Sequence, residues 1–310
     1  MAKVRVLLTG SGGMVGRNLL EHAAIHRYEI LAPRRNELDL GDFPAVQRYL
    51  GRFRPQMIVH AAGKVGGIQA NLRQPVDFLV ENLEMGRNIV LAASQAGIQQ
   101  LINLGSSCMY PRNYSEPLRE EMVLQGALEP SNEGYALAKV VTARLCEYVM
   151  REDSTFHYKT LIPCNIYGRY DKFDPSQSHL LPAIIHKIHA AKQTGLQTVE
   201  IWGDGTARRE FMYAADLADA LVRAMDDVAA LPSYMNVGLG KDCTINEYYQ
   251  AVGEMMGYTG GFTHDLTKPV GMTRKVVNVQ RQLAWGWSAQ HDLRDGIAKT
   301  CDYYLKEYQQ

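Results

Sequence analysis

The beginning of the chain limits the possible folds most strongly. An apolar, β-rich run, Val4 to Thr9, leads into Gly10-Ser11-Gly12-Gly13-Met14-Val15-Gly16, and a helical pattern continues through Leu20. The glycines at positions 10, 13 and 16 let the backbone turn tightly, approach a pyrophosphate and pack the helix on the strand. A glycine triplet also occurs in ordinary loops, but its place after the first strand predicts a dinucleotide site in a parallel α/β sheet.

Strand-like apolar runs and helical patterns alternate through the first half of the chain. The runs are Tyr28 to Ala32, Met57 to Val59, Leu101 to Leu104 and Leu161 to Asn165, and the main helical patterns are Phe43 to Phe53 and Pro75 to Ala96. This alternation predicts the α/β class, with a Rossmann-type doubly wound parallel sheet and a smaller mixed α/β domain. We assign residues 1–165 plus about 210–238 to the cofactor-binding Rossmann domain, and about 166–209 plus 239–310 to the second domain.

The ends of the second and third strands suggest which dinucleotide is bound. Pro33-Arg34-Arg35-Asn36 stands where an NAD-binding domain usually has an Asp or Glu for the ribose hydroxyls, and two arginines suit a 2′-phosphate instead. The prediction is NADP(H), with a solvated arginine pair as the alternative. Asp39 and Leu40 follow where such loops reach the adenine, and the small residues Ala61, Ala62 and Gly63 let a dinucleotide lie against the third strand.

Composition excludes several classes of protein. The 310 residues contain 33 Lys plus Arg and 33 Asp plus Glu, so no overall field would attract nucleic acid. The five cysteines are scattered without metal-ligand spacing, which indicates a reducing compartment and no metal site. The run Val4 to Thr9 is too short for a signal peptide or a membrane span. We therefore expect a soluble, cytoplasmic protein with neither nucleic acid nor membrane as partner.

Tyr135 and Lys139 form a second informative pair. They are four residues apart in a helical pattern, so their side chains share one face. A phenol with its ordinary pKa of about 10 transfers protons poorly at neutral pH, whereas a cation within about 4 to 6 Å favours the ionised form. Such a pair also occurs on solvated helix faces. Its meaning therefore depends on the glycine loop and on Ser106, which follows the strand ending at Leu104.

Taken together, the glycine loop, Ser106 and Tyr135-x-x-x-Lys139 resemble the extended short-chain dehydrogenase/reductase family, whose members act mainly on nucleotide sugars. The resemblance covers essentially the whole chain. It implies that Ser106 binds the substrate oxygen, that Tyr135 donates or accepts the proton, and that Lys139 lowers the pKa of the phenol and contacts the nicotinamide ribose. It also implies a homodimer, and cofactor contacts from Lys139, Pro163, Asn165 and His179.

Finer motifs resemble the GDP-L-fucose synthases within that family. They are Gly66 to Asn71, Ser106 to Pro111, Asn165 to Gly168, Ser178 to Pro182, Trp202 to Gly205, Arg209 to Phe211 and Asp242 to Ile245. This resemblance implies NADPH-dependent 3,5-epimerisation and 4-keto reduction of a GDP-4-keto-6-deoxy-hexose, giving GDP-L-fucose or a close relative. The second domain would then bind the nucleotide sugar.

Cys108 and His179 match the cysteine and histidine that move protons next to the ketone in those enzymes. Inversion at a carbon next to a carbonyl needs a base on one face and an acid on the other, and a thiol with an imidazole can serve. Each residue also has an ordinary interpretation, since cysteines are commonly buried in cores and a loop histidine is unremarkable. The motif match favours the catalytic interpretation.

The resemblance also assigns substrate contacts. Arg209 would hold the nucleotide diphosphate with its guanidinium fork. The further candidates for contacts to the substrate are Ser107, Asn165, Lys187, Trp202 and Lys268. The sequence departs from the usual motif at Lys268-Pro269-Val270-Gly271, where an aspartate is replaced by Val270. The lost carboxylate leaves the sugar open.

Several alternatives therefore remain at this stage. A GDP-L-colitose synthase acting on GDP-4-keto-3,6-dideoxy-mannose and a GDP-4-keto-6-deoxy-heptose epimerase/reductase are related enzymes with similar motifs. A thiol hydrolase built on Cys108 and His179 would leave the glycine loop and Tyr135 idle. An NADP(H)-sensing binding protein would need the glycine loop, but would not need Ser106, Tyr135 and Lys139 together.

Overall fold

The protein is described by a computed structural model covering residues 3–174, 177–268 and 271–308. Its strands are β1 (Arg5–Thr9), β2 (Glu29–Leu31), β3 (Met57–His60), β4 (Gln100–Leu104), β5 (His157–Pro163), β6 (Asn165–Tyr167), β7 (Thr198–Trp202), β8 (Arg208–Arg209), β9 (Phe211–Tyr213), β10 (Tyr234–Val237), β11 (Cys243–Thr244), β12 (Gly261–Asp265) and β13 (Arg274–Lys275). Its α-helices are α1 (Met14–Leu20), α2 (Phe43–Phe53), α3 (Ile68–Arg73), α4 (Pro75–Gln95), α5 (Glu133–Glu152), α6 (Leu180–Thr194), α7 (Ala214–Asp226), α8 (Ile245–Met256), α9 (Gln280–Ala284) and α10 (Leu293–Tyr308).

A six-stranded sheet with the order β10-β5-β4-β3-β1-β2 forms the centre of the fold. Every neighbouring pair in it is parallel. The predicted Rossmann-type α/β fold is therefore confirmed. The chain goes from β1 to β2 on one side and returns to β3 on the other side of β1. The loops after β1 and β3 consequently diverge, and a ligand crevice is expected between them at the carboxyl ends of the strands.

Both faces of the sheet are buried, as its near-continuous apolar strands require. Val6 and Leu8 of β1 face a cluster that includes Leu19 of α1 and Leu217 of α7. Leu7 faces the opposite cluster, which includes residues of α2 and α4. Because successive side chains of a strand point to opposite faces, β1 contributes to both cores at once.

Helices α4 and α5 pack closely and set the position of the Tyr135 helix. A Cβ added at Gly86 of α4 would lie 2.0 Å from the Oγ1 atom of Thr142 in α5, so only glycine allows this approach. Thr142 is 2% exposed and its hydroxyl donates to the carbonyl of Ala138. The contact therefore holds α5 at the carboxyl edge of the sheet.

A second apolar cluster joins α6, α8 and α10 to β7. It contains Leu181 and Ile188 of α6, Val252 of α8, and Ile297 and Tyr304 of α10. The short strands β11 and β13 pair with β8, and β12 pairs with β7. The strands β7, β8, β11, β12 and β13 thus form two small sheets beside the main one.

The start of α6 differs from the sequence prediction. The run Phe173 to Pro182, rich in Pro, Ser and Asp, predicts a loop followed by a helix from Ala183 to Lys192, but α6 begins at Leu180. His179 therefore occupies the position immediately before the helix, with an extended backbone. Pro175 and Ser176 of that predicted loop lie outside the described residues.

Candidate active site

A cleft of about 1690 Å³ opens at the carboxyl ends of β1, β3, β4 and β5. It is lined by all five predicted catalytic residues, Ser106, Cys108, Tyr135, Lys139 and His179. It is also lined by most of the predicted cofactor residues, namely Gly10, Ser11, Gly12, Gly13, Met14, Val15, Arg35, Asp39, Leu40, Ala61, Ala62, Gly63, Pro163 and Asn165. Residues far apart in the chain thus meet at the switch point of the sheet.

The glycine loop is held tightly beneath this cleft. Gly10 has φ +74°, and a Cβ there would lie 2.7 Å from the backbone of Ala61. Gly16 does not line the cleft, and its Cβ would lie 2.3 Å from the carbonyl oxygen of Gly10. Gly12 has open space on its Cβ side. The loop therefore fits the sheet at positions 10 and 16 and presents bare backbone to the cleft, as a bound pyrophosphate requires.

The loop after β2 supplies cations at the far end of the cleft. Arg34 and Arg35 are both exposed and both line it. Neither guanidinium forms an ion pair with a carboxylate among the described residues. Ser11 donates to the carbonyls of Ala32 and Pro33 at 3.2 Å each, which ties the glycine loop to this segment. The two arginines are therefore available to an anionic ligand.

Ser106 begins a single 3₁₀ turn, Ser107–Met109, that places Cys108 in the cleft. The Ser106 hydroxyl accepts a hydrogen bond from the backbone N–H of Cys108 at 3.2 Å. Ser107 is 3% exposed, yet it also lines the cleft. Because the turn fixes the spacing between the hydroxyl and the thiol, the two groups face the same ligand volume.

Tyr135 and Lys139 lie on one face of α5 as predicted, but their electrostatics differ from expectation. Burial raises the pKa of Tyr135 well above its usual value, Cys108 acts in the same direction, and Ser106 lowers it slightly. The Lys139 ammonium is 5.9 Å from the centre of the phenol ring and donates to the carbonyl of Leu104 at 2.8 Å. Burial lowers the pKa of Lys139 to about 8. Desolvation therefore dominates the pKa of the phenol in the free protein.

Cys108 has two nitrogen donors directed at its sulfur. Asn132 Nδ2 is 3.1 Å from Sγ and Lys275 Nζ is 3.3 Å from it. Sequence reasoning missed both residues. Asn132 precedes α5, where a helix-capping residue type is the only signal. Lys275 is in β13 and nothing in the local sequence connects it with Cys108. Both donors suit negative charge on the sulfur.

His179 enters the same cleft from the start of α6. Its side chain meets the solvent of the cleft, and its carbonyl accepts from the N–H of Ala183 at 3.1 Å. Desolvation by the surrounding protein lowers the pKa of His179 to about 4, and the positive charges of Lys172 and Lys275 add to this effect. The imidazole is consequently neutral at neutral pH in the free protein.

The remaining predicted substrate residues divide into two groups. Asn165 lines the cleft and donates to the carbonyl of Glu210 at 2.8 Å. The other four, Lys187, Trp202, Arg209 and Lys268, lie outside the cleft lining formed by the described residues. The ammonium groups of Lys187 and Lys268 are 5.4 Å and 5.7 Å from the Trp202 ring centre. This indole flanked by two cations forms a separate surface beside the cleft.

The sequence also matches a known protein family. The sequence profile of the NAD dependent epimerase/dehydratase family matches residues 6–238. The chain belongs to that family. It is accordingly an enzyme that uses a nicotinamide cofactor.

Similar proteins extend the match over the full chain. A GDP-L-colitose synthase from Yersinia pseudotuberculosis is 53% identical over 98% of this chain and 99% of its own length. A GDP-L-fucose synthase from Azorhizobium caulinodans is 49% identical over 97% of this chain and 96% of its own. The structure of a GDP-mannoheptose C4 reductase from Campylobacter jejuni with NADP bound superimposes with a TM-score of 0.87 at 28% identity, covering 98% and 99% of the two chains.

Metal-binding clusters and membrane-spanning helices are both absent from the described residues. No group of three or more His, Cys, Asp or Glu side chains in them is arranged to hold a metal ion. None of their helices combines the length and apolar character that crossing a membrane requires.

Proposed function

We propose that the protein catalyses NADPH-dependent 3,5-epimerisation and 4-keto reduction of a GDP-linked 4-keto-6-deoxy-hexose. The observation that carries this proposal is the meeting of Cys108 and His179 with Tyr135 and Lys139 in one cleft. An enzyme that only reduced the ketone would need Tyr135 and Lys139 but neither Cys108 nor His179. A thiol and an imidazole in the same cleft supply the two proton-transfer groups that inversion next to a ketone requires.

The residues of the cleft fit NADP(H). The bare backbone of Gly10 to Gly13 would accommodate the pyrophosphate, Asp39 and Leu40 would contact the adenine, and Ala61 to Gly63 leave room along β3. Arg34 and Arg35 would bind the 2′-phosphate, since both are exposed to the cleft. The reduced nicotinamide supplies the hydride for the 4-keto group.

Tyr135 would deliver the proton in the reduction. Its raised pKa keeps the phenol protonated at neutral pH, so the free protein holds the proton that the reduced oxygen needs. Ser106 would donate a hydrogen bond to the same oxygen. Lys139 has a pKa of about 8 and donates to Leu104, so it can orient the cofactor ribose and replenish the proton of the phenol.

Cys108 and His179 would exchange the protons next to the ketone. Lys275 and Asn132 stabilise negative charge on Cys108 Sγ, which favours Cys108 as the base. His179 would return a proton on the opposite face. Desolvation, with smaller contributions from Lys172 and Lys275, lowers the pKa of His179 to about 4, so its imidazole would have to take up a proton in the complex before donating one.

The second domain would bind the nucleotide. We assign Arg209 to the diphosphate, and Lys187, Trp202 and Lys268 to the diphosphate and guanine. An indole with two ammonium groups within 6 Å of it suits a base bearing phosphates, because it offers stacking and positive charge together. Residues 166–209 and 239–310 supply all four side chains.

A homodimer through α4 and α5 is part of this proposal. Val76 of α4 is 69% exposed, and Val141 and Tyr148 of α5 are 47% and 50% exposed. Large apolar side chains concentrated on two packed helices favour burial against a second copy. Light scattering of Val141→Glu should show a monomer where the unaltered protein is a dimer. A dimer of unchanged stability in that variant would contradict this interface.

Product analysis by NMR tests the function. In D₂O without NADPH, the protein should introduce deuterium at C3 and C5 of GDP-4-keto-6-deoxy-mannose, and adding NADPH should yield the reduced epimer. Cys108→Ser should suppress exchange while sparing reduction, whereas Tyr135→Phe should do the reverse. Cys243→Ser, which alters a thiol outside the cleft, is the matched control. Failure to oxidise NADPH with any GDP-4-ketosugar would refute the proposal.

One observation supports a second candidate function. The 53% identical relative is a GDP-L-colitose synthase, and such a reaction would use the 3,6-dideoxy ketosugar with inversion at C5 alone. Offering both ketosugars in one NMR experiment separates the candidates. Preference for the 3,6-dideoxy compound would assign the second function, and exchange at C3 of the 6-deoxy compound would assign the first.

A further inference from the structure

The three-stranded sheet β11-β8-β13 determines where Lys275 points. Arg274 is the register partner of Arg208, and Lys275 is the partner of Arg209. Register partners project on the same face of a sheet, and successive residues project on opposite faces. Arg208 and Arg274 therefore share one face, and Arg209 and Lys275 share the other, from which Lys275 Nζ reaches Cys108 Sγ at 3.3 Å.

Asp242 joins the two arginines on the first face. Arg208 Nε donates to Asp242 Oδ1 at 2.8 Å, and Arg274 Nε donates to Oδ2 at 2.6 Å. Arg208 Nη2 also donates to the Asp242 carbonyl at 2.9 Å. The carboxylate is 4% exposed. Burial alone would raise the pKa of Asp242, but the hydrogen bonds and charges of Arg274 and Arg208 outweigh burial and hold the pKa below its usual value.

Backbone bonds and side chains together hold the register of β13, which has two residues. Arg208 N donates to the carbonyl of Thr273 at 2.8 Å, and Glu210 N donates to the carbonyl of Lys275 at 3.2 Å. Just after the strand, Leu118 N donates to the carbonyl of Val276 at 2.9 Å. A slip of one residue would move Lys275 to the opposite face and away from Cys108. The two ion pairs of Asp242 oppose such a slip, because each requires Arg208 and Arg274 side by side.

We propose that Asp242 is a positioning residue, which fixes β13 against β8 through Arg208 and Arg274 and so keeps Lys275 at the sulfur of Cys108. Its relevance to catalysis rests on the proposed function of Cys108 as a base. The positioning itself does not, because the distance between Lys275 and Cys108 is a property of the fold. An assay of the thiol without turnover therefore separates the two proposals.

The experiment is alkylation of Cys108 by iodoacetamide, followed by peptide mass spectrometry, with the full chain. Lys275 Nζ lies 3.3 Å from Cys108 Sγ and attracts the negative charge of the reacting sulfur, so Lys275→Met should slow alkylation of Cys108 several-fold at neutral pH. Asp242→Asn should slow it by a similar factor. In the double variant the slowing should equal that of Lys275→Met alone, because Asp242 acts only through Lys275.

The sign of the effect distinguishes positioning from direct electrostatics. Removing a negative charge near Cys108 would by itself favour the thiolate and speed alkylation, so slowing supports positioning. Asp226→Asn, which breaks the ion pair with Arg27 far from the cleft, is the matched control and should leave the rate unchanged.

If Asp242→Asn does not fold, Arg274→Gln breaks one ion pair and should slow alkylation less than Lys275→Met does. A folded Asp242→Asn that alkylates at the original rate or faster overturns the inference. The inference is also overturned if Asp242→Asn slows alkylation by the same factor when Lys275 has already been replaced by methionine. A different result is that the alkylation rates of the variants follow the prediction while the unaltered protein turns over no GDP-ketosugar. That result would leave the positioning role intact and refute only the proposed function.

Discussion

Replacing Gly16 by alanine tests whether the glycine loop is built as the structure shows. Gly16 lies in the first turn of α1, and an added Cβ would be 2.3 Å from the carbonyl oxygen of Gly10 and 2.7 Å from the Cα of Ser11. Both are backbone atoms, so no side chain can rotate away. The loop itself must move, and with it the surface that would hold a pyrophosphate.

The expected magnitude follows from two opposing contributions. Alanine normally stabilises a helix over glycine by about 0.5 to 1 kcal/mol. Overpacking against fixed backbone costs about 1 to 3 kcal/mol or more. Gly16→Ala should therefore lower the free energy of unfolding by roughly 0.5 to 2 kcal/mol or more. Gly51 in α2 has nothing within 4 Å of its Cβ position, so Gly51→Ala should raise it by about 0.5 to 1 kcal/mol.

Urea unfolding and NADPH titration measure the two effects. The midpoint should shift down for Gly16→Ala and up for Gly51→Ala, at unchanged slope. NADPH affinity should fall for Gly16→Ala only. If Gly16→Ala were stabilised like Gly51→Ala, or bound NADPH as tightly as the unaltered protein, the close contact of the loop with α1 would be refuted.

Two further predictions concern charge. Arg34→Ala and Arg35→Ala should each weaken NADPH binding about tenfold or more while sparing NADH binding, because each removes a charged hydrogen bond to the 2′-phosphate. Fluorescence titration measures both affinities, with Arg48→Ala as the control. Equal losses of affinity for the two cofactors would contradict this prediction. Burial raises the pKa of Glu210 to about 7 from an ordinary 4.5. The unfolded chain therefore loses this proton at lower pH than the native state does, and stability falls between those values as pH rises. Glu210→Gln should remove this fall, which amounts to about 3 kcal/mol at most. Urea unfolding at pH 5 and pH 8 measures it. The pKa of Glu147 is lowered instead, because its hydrogen bonds to Arg144, Tyr234 and Arg151 outweigh burial. Glu147→Gln should therefore change the pH dependence of stability in the opposite direction to Glu210→Gln. A change in the same direction for both variants would refute these pKa shifts.

Local sequence patterns predicted most of the sheet. The limits of α2 agree with the predicted helical pattern, and β3 and β4 contain the predicted runs. These elements are buried on both faces or amphipathic, so hydrophobic pattern and turn residues act in the same direction. The start of α6 was missed because Leu180 to Pro182 follow a polar loop and include a proline, although proline is well accommodated in a first helical turn.

Local sequence patterns predicted only part of the candidate site. Ser106, Tyr135 and Lys139 belong to short motifs whose spacing is carried by one turn or one helix. Lys275 and Asn132 approach Cys108 through the packing of α5 and of β13 against β8, and no local pattern encodes those distances. The raised pKa of Tyr135 likewise depends on burial, which the spacing to Lys139 does not reveal.

The sequence by itself determined the strand, glycine loop and helix at the start of the chain, because each is set by contacts between near neighbours. It also determined which residue types could act on a ketone. Only the tertiary structure decided that Gly86 must lack a side chain where α4 meets Thr142 of α5, and that Lys275 lies at the sulfur of Cys108. It also showed that burial, rather than the neighbouring ammonium, governs the proton of Tyr135. These properties depend on distances between segments far apart in the chain and on the exclusion of water, and both arise only when the sheet and its covering helices have formed.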